Sequence, residues 1–331
     1  MPEMTEIVQN FCVTGTPVEI KPMGNGHINT TYLVTAQTGE GAEKKYTLQA
    51  INRYVFEDPE AVMKNIVLVT EHIKKKLTGE NAERGVLSVV QTKDGKNFFC
   101  DDEGEYWRMY TYVDGSHSMD FVEDPDQLYA AGAAFGNFQN LMADFPMTAL
   151  TETIPNFHHT PGRFAQLMDA VEKDVCGRAA SVKEEIDFFV QREAEMSILT
   201  DAAERGEIPL RVVHNDTKFN NVLFDDKTND ALCIIDLDTV MPGLAASDFG
   251  DAIRFAASTA EEDETDLSRV AIDMKLYERH IYADYNAEVV LWLDSVCKFY
   301  EEYNMEYIAY LNNGIYKENK FQITEEDCTD E

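Results

Sequence analysis

Two hydrophobic rhythms run along this chain, and the switch between them divides it. In the first hundred or so residues, TPVEIKP (16–22), TTYLVTA (30–36) and KKYTLQAIN (44–52) are short β-rich runs that read as strands. AVMKNIVLVTEHIKKKL (61–77) instead repeats at helical spacing, with Val62, Ile66, Val69, Ile73 and Leu77 on one face. Asp58 can cap that helix and Pro59 can take its first turn. GVLSVVQT (85–92) and NFFCDDEG (97–104) are expected to form a strand pair around the turn residues KDGK. The aromatic stretch EYWRMYTYVDG then stays extended until Asp114-Gly115.

After Gly115 the period becomes helical. Leu128, Gly132, Phe135 and Met142 recur at roughly helical spacing within 124–145. TPGRFAQLMDAVEKDV (160–175) and EEIDFFVQREAEMSILTDAAERG (184–206) read as further helices. IPLRVVHND (208–216) opens a strand-rich insert, and NVLFDDKTNDALCIIDLD (221–238) reads as a hairpin turning at DDKTND. Beyond 244 the chain is expected to be mostly helical again, through LWLDSVCKFYEEYNMEYIAYL. The expected organisation is α+β and bilobal. A small β-rich lobe spans 1–106, a connector 107–115, and a larger, mainly helical lobe 116–331.

Composition narrows the classes. With 331 residues, 44% of them hydrophobic, the chain can bury a sizeable core. The six cysteines (12, 100, 176, 233, 297 and 328) are scattered without a C-x-x-C pair, which fits isolated thiols in a reducing compartment. The N-terminus is acidic, and no apolar run approaches the roughly 20 residues of a membrane helix. A cytoplasmic location is expected. The net charge of -33 argues against nucleic acid and anionic membranes as partners. The KKK at 74–76 suits the C-terminal end of its helix dipole. Any phosphate site therefore needs local positive charge or Mg2+.

Candidate chemistry concentrates in the strand-rich insert. HNDTKFNN places His214, Asp216, Lys218 and Asn221 on one short loop, and the hairpin returns Asp236 and Asp238 beside it. Moving a phosphoryl group to a hydroxyl needs a carboxylate near the attacking oxygen, cations across the phosphates and ligands for those cations. In the first lobe, Gly24, Asn25 and Gly26 of MGNGHIN lie between two expected strands, where glycines let backbone N–H groups approach phosphates. An ordinary hairpin turn is the plainer reading of that pair. Trp107, Met109 and Tyr110 are candidates for a nucleotide-base slot, with core packing as the alternative. Arg108 is placed to reach a phosphate or the acceptor, or to cover acidic surface. His158 and His159 are read as surface or packing residues.

H-x-D-x-x-x-x-N followed by I-D resembles the phosphotransfer core shared by protein kinases and the aminoglycoside/choline kinase-like superfamily. The small-molecule branch is the better match, because no D-F-G follows at Asp236 and no A-P-E segment comes after it. GNGHINTTYLV, WRMYTYVDG, HNDTKFNNVLF, CIIDLDTVMPG and DFGDAIR, in that order, are together similar to the N-acetylhexosamine 1-kinase group. That resemblance implies a protein-kinase-like fold and ATP-dependent phosphorylation of the anomeric hydroxyl of an N-acetylhexosamine. Mg-ATP and the sugar would be the partners, with Mg2+ as cofactor.

Carried over residue by residue, the resemblance makes Asp216 the catalytic base and Asn221 and Asp236 the magnesium ligands. His27 becomes a sugar contact, and His214 a brace for the loop. Asp238 is either a further metal ligand or a brace. Asp248 and Asp251 of DFGDAIR either accept backbone N–H groups or pair with Arg254. One departure stands out. Gln49 occupies the strand position where many kinase-like folds carry a phosphate-binding Lys, so the usual Lys–Glu pair is in doubt and Lys218 is the expected replacement. A choline- or aminoglycoside-type kinase is the nearest alternative, and a non-catalytic nucleotide-binding protein the next. The oligomeric state is left open.

Overall fold

A computed structural model describes residues 4–24, 28–39, 41–79, 82–122, 124–260, 264, 269–273 and 275–276. Asn25, Gly26, His27 and the helix expected in LWLDSVCKFYEEYNMEYIAYL lie outside the described residues.

The molecule has a small β-rich lobe and a larger helical lobe, the bilobal arrangement of a protein-kinase-like fold. The small lobe begins with a short helix, α1 (Met4–Val8), that the sequence pattern did not reveal. Strands β1 (Thr16–Pro22), β2 (Thr30–Gln37) and β3 (Glu43–Ile51) pair antiparallel in series. β5 (Tyr106–Thr111) extends the sheet on the far side of β3, and the two-residue β4 (Phe99–Cys100) closes the edge. Val34, Tyr46, Leu48, Trp107 and Met109 form the core of this lobe with Ile7, Val8 and Phe11.

One expectation needs correction. GVLSVVQT and NFFCDDEG do not form a pair of strands. Val90 N–H donates to Met109 O (2.8 Å) and Thr111 N–H to Ser88 O (2.9 Å), while Phe99 pairs with Trp107. Both segments dock on β5 because its long aromatic strand offers them more backbone partners than they offer each other. β5 also takes residues 107–111 of the expected connector into the sheet. The crossing that follows is fixed by Arg84, which donates to Asp114 O (3.1 Å) and Gly115 O (2.7 Å) and pairs with Asp225 (2.6 Å).

Helix α2 (Pro59–Lys76) starts where Asp58 accepts the Ala61 N–H at 3.0 Å, with Pro59 in the first turn. Its face Val62, Ile66, Val69 and Ile73 packs on Phe138, Met142, Leu237 and Val240 of the large lobe. The largest apolar cluster thus crosses between the lobes. Buried Asn65 on the same helix donates to Thr151 O (2.7 Å) and Val240 O (3.1 Å) and accepts the Thr151 N–H (2.9 Å). At the other end of α2, Lys76 reaches Leu141 O and Asp144.

The large lobe is built on α3 (Pro125–Met142), opened by a capping box between Asp124 and Gln127. α4 (Thr160–Lys173) follows. The single helix expected over 184–206 is broken into α5 (Lys183–Gln191), a 3-10 turn and α6 (Ile198–Glu204). Two small sheets then carry the polar insert. β7 (Arg211–Val213) pairs with β10 (Met241–Gly243), while β6 (Ser116–His117), β8 (Val222–Asp225) and β9 (Ala231–Ile234) form the second sheet. α7 (Ala245–Ala256) packs behind them.

Candidate active site

The loop after β7 bends at Asn215, whose φ of 66° is left-handed. Asn tolerates that region better than most residues. The bend is tied down from below by Asp248 in the first turn of α7. The Asp248 carboxylate accepts the His214 N–H (2.9 Å) and Asn215 N–H (2.7 Å), plus Gln139 Nε2 (2.9 Å) from α3. Its backbone carbonyl accepts the Thr217 hydroxyl. Burial pushes the Asp248 carboxyl up, and the two backbone N–H groups pull the other way.

His214 is fully buried. Its Nδ1 faces the Asp216 N–H (3.3 Å) and its Nε2 faces Ile235 O (3.0 Å), which together define a neutral ring protonated on Nε2. The ring joins the two polar stretches of the sequence, since Ile235 directly precedes Asp236. A second tie comes from Thr239, which donates to His214 O (2.7 Å), and a third from Asn215 Nδ2 to Thr239 O (2.9 Å). β10 can approach this closely because residue 243 is glycine. A Cβ there would lie 2.5 Å from Val213 Cγ2.

Asp216 sits where these supports converge. Asn221 Nδ2 donates to its backbone carbonyl (2.8 Å) and to Oδ2 (3.0 Å), and Lys218 Nζ lies 3.5 Å from Oδ1. Both carboxylate oxygens are thus held, while Asp216 and Lys218 each keep about 25% of their side-chain surface in solvent.

The hairpin β8–β9 returns Asp236 to this loop, and Ile235 N–H donates to Asn221 O (2.9 Å). Asp236 is itself left-handed, at φ 57° and ψ 58°. It stays open to solvent on one side, yet desolvation by the surrounding protein pushes its carboxyl up to about 7. Asp238 and Asp216 reinforce that shift, and Arg108 and Lys218 oppose it.

Asp238 faces the other way. It is 3% exposed, and its carboxylate takes both terminal nitrogens of Arg108 (Nη2 to Oδ2 at 2.9 Å) and Asn29 Nδ2 (2.7 Å). Both carboxylate oxygens already accept hydrogen bonds from the chain, an arrangement that suits the brace among its two readings. Arg108, read as reaching a phosphate or the acceptor or as covering acidic surface, is 1% exposed and committed to this ion pair. Burial works against its charge, but Asp238 offsets this and holds the guanidinium above its usual pKa.

Strand alternation explains the neighbours of Arg108. Trp107 and Met109 point into the small-lobe core, and Tyr110, with Arg108 5.4 Å from its ring centre, faces the lobe interface. All three are buried, so packing rather than an open base slot takes their side chains. Gln49 accepts Arg108 Nε (2.9 Å) and donates to Thr31 (3.0 Å), so no Lys–Glu pair forms at this strand position. Gly24 has a φ of 77°, with open space where a Cβ would stand. Asp251 pairs with Arg254 at 2.8 Å, one of its two sequence readings. His158 bonds Asn215 O (3.1 Å) and His159 caps α4 through Gly162 N (2.9 Å). Asn29, Thr217 and Thr239 lie inside the quoted motifs and Gln139 in none, but sequence reading gave no role to any of them.

No three His, Cys, Asp or Glu side chains converge as a metal cluster among the described residues. A divalent cation would therefore find no all-protein cage. Asn221, whose amide nitrogen is engaged by Asp216, and Asp236, whose charge is crowded by two other carboxylates, offer hard oxygen donors here. Such a pair suits Mg2+, which commonly takes one or two protein ligands and fills its shell with water and phosphate oxygens.

A buried carboxylate thus braces a loop that presents an Asp, a Lys and an Asn, with a second Asp on the returning hairpin. Residues 19–279 match the phosphotransferase enzyme family, and the chain belongs to that family. Among solved structures it is similar to the GDP complex of wild-type aminoglycoside 2'-phosphotransferase-IIIa (TM-score 0.53, 12% identity, 86% of this chain and 82% of that one). A Plasmodium vivax ethanolamine kinase is also similar (TM-score 0.51, 15% identity, 85% and 71%). So is an amicoumacin kinase in complex with AMP-PNP, Ca2+ and Ami (TM-score 0.51, 10% identity, 82% and 73%). At these identities the likeness is one of fold.

Proposed function

We propose that the chain transfers the γ-phosphoryl group of a Mg-nucleoside triphosphate, ATP in the first instance, to a hydroxyl of a small polar metabolite. The observation that carries this reading is Asp216, held at both oxygens by Asn221 and Lys218 and still open to solvent. In the step, the acceptor hydroxyl loses its proton to Asp216 as its oxygen bonds to the γ-phosphorus. The bond to the bridging oxygen breaks, and the nucleoside diphosphate leaves with that electron pair. Asn221 and Asp236 would hold Mg2+, which when bound would offset negative charge on the phosphates. Lys218 adds positive charge beside the attacking oxygen, and Asn221 keeps Asp216 in one orientation.

The acceptor has two readings. The ordered motifs GNGHINTTYLV, HNDTKFNNVLF and CIIDLDTVMPG support the anomeric hydroxyl of an N-acetylhexosamine. The relatives named for an aminoglycoside, ethanolamine and amicoumacin, together with a net charge of -33, support an amine-bearing alcohol. Incubation with Mg-ATP or Mg-GTP and a panel of N-acetylhexosamines, choline, ethanolamine and aminoglycosides separates them by diphosphate release and product phosphorus spectra. Asp216→Asn should lower kcat by about 10²-fold or more, within the reach of general-base catalysis. Wild-type turnover in that variant would remove Asp216 from the role of base.

A further inference from the structure

Asp236 holds a left-handed backbone, a region Asp tolerates better than most side chains, and hydrogen bonds on both sides hold it there. On its N-terminal side the hold comes from within the large lobe, through Ile235 N–H to Asn221 O and His214 Nε2 to Ile235 O. On its C-terminal side both lobes contribute. The Asp238 carboxylate is gripped from the small lobe by Arg108 of β5 and by Asn29 just before β2, while Thr153 of the large lobe donates Oγ1 to its backbone carbonyl (3.3 Å). Arg108 is oriented in turn by Gln49 of β3. Asn29 is oriented by Asn52, whose backbone N–H donates to Asn29 Oδ1 (3.0 Å).

We infer that Arg108, Asn29 and Asp238 are positioning residues for phosphoryl transfer: they clamp the small lobe onto the turn that carries Asp236. This inference rests on the phosphotransferase reading above. Arg108, with all three guanidinium nitrogens engaged and its surface buried, is not free to reach a phosphate. A sheet with Gln49 on β3 instead uses an immobile arginine on the neighbouring strand to hold the acidic turn itself. Asn29 adds the start of β2 to the same clamp. Nucleotide-covering strands and acidic turn then move as one body, and the cost of separating them is an unpaired buried charge.

The clamp is tested by kinetics at varied Mg2+ and nucleotide, alongside binding of a Mg-bound, non-hydrolysable nucleotide measured by calorimetry. Asn29→Ala removes one grip and should raise the nucleotide KM and the Mg2+ concentration for half-maximal rate by about 10-fold or more, the scale for losing a hydrogen bond to a charged group. Asn29→Asp sets a carboxylate against Asp238 and should exceed that effect. Arg108→Met with Asp238→Leu removes both charges together, leaves no orphaned ion, and should retain a cooperative unfolding transition. It should nevertheless bind the Mg-nucleotide more than 10-fold more weakly. A clamp serving only stability would lower the melting temperature and leave KM, Mg2+ requirement and nucleotide affinity at wild-type values. That result in Asn29→Ala, or in the folded double variant, overturns the inference. Should the double variant fail to fold, the two Asn29 variants decide. Absence of transfer by the wild-type enzyme would instead defeat the phosphotransferase reading, while wild-type-to-variant ratios of nucleotide affinity still judge the clamp.

Discussion

Asp248→Asn is the sharpest structural perturbation available near the site. The side chain keeps its shape, but one of its two acceptor oxygens becomes an NH2 donor. In the native site those oxygens accept the His214 and Asn215 N–H groups, with Gln139 as a third partner. An asparagine can satisfy one backbone N–H; the other then meets a donor. Orphaning a buried donor costs about 1–3 kcal/mol, and exchanging an ionised acceptor for a neutral one weakens the bonds that remain. Neutralising the carboxylate recovers part of this, because burial already disfavours its charge. The net expectation is a loss of about 2–3 kcal/mol, a large share of the roughly 5–15 kcal/mol that separates folded from unfolded domains. Urea denaturation followed by far-UV circular dichroism reads it directly, with Asp169→Asn on the exposed face of α4 as a control expected within about 0.5 kcal/mol. Since the lost bonds hold the loop carrying Asp216, kcat should fall as well. A denaturation midpoint equal to wild type would show that Asp248 does not carry the loop.

Three further outcomes follow from single contacts. Lys218→Met should reduce kcat more than it raises the nucleotide KM, because its Nζ stands beside Asp216; steady-state kinetics resolve the two, and a pure KM effect would assign Lys218 to ground-state binding. The Asp225 carboxyl is lowered to about 2 by Arg84, so its folded pKa lies below the unfolded value of 3.8. Its stabilisation is therefore present above about pH 4 and is lost as pH falls toward 2, and the stability gap between wild type and Asp225→Asn should close over that window. Burial raises the Cys233 thiol to about 12, whereas Cys12, Cys100 and Cys176 are exposed. Peptide mapping after brief iodoacetamide treatment at pH 8 should find those three modified and Cys233 untouched until urea is added.

The sequence by itself determined the local elements whose signals are self-contained. Asp58-Pro59 and the spacing from Val62 to Ile73 fix α2, because a cap and an apolar stripe need only neighbours along the chain. The β8–β9 hairpin and the return of Asp236 to the Asp216 loop follow from two apolar runs flanking DDKTND. The bilobal α+β class was legible for the same reason, since the hydrophobic period changes from strand-like to helical near Gly115.

What only the tertiary structure decided concerns partners far apart in the chain. Nothing in WRMYTY says that Arg108 ends in an ion pair 130 residues away, or that Trp107 and Met109 turn into a core. A strand's two faces are interchangeable in sequence until the layers on either side are known. Asp238 had two readings for the same reason: a carboxylate two residues after Asp236 suits a cation equally well, whether it comes as a metal or as a buried guanidinium. Asn29 sits unremarked inside GNGHINTTYLV and Gln139 lies in no motif, and both acquire their roles by standing within 3 Å of Asp238 and Asp248. Spacing along the chain reports the groups a loop can present, but a buried charge is settled by whichever partner the packed lobes bring to it.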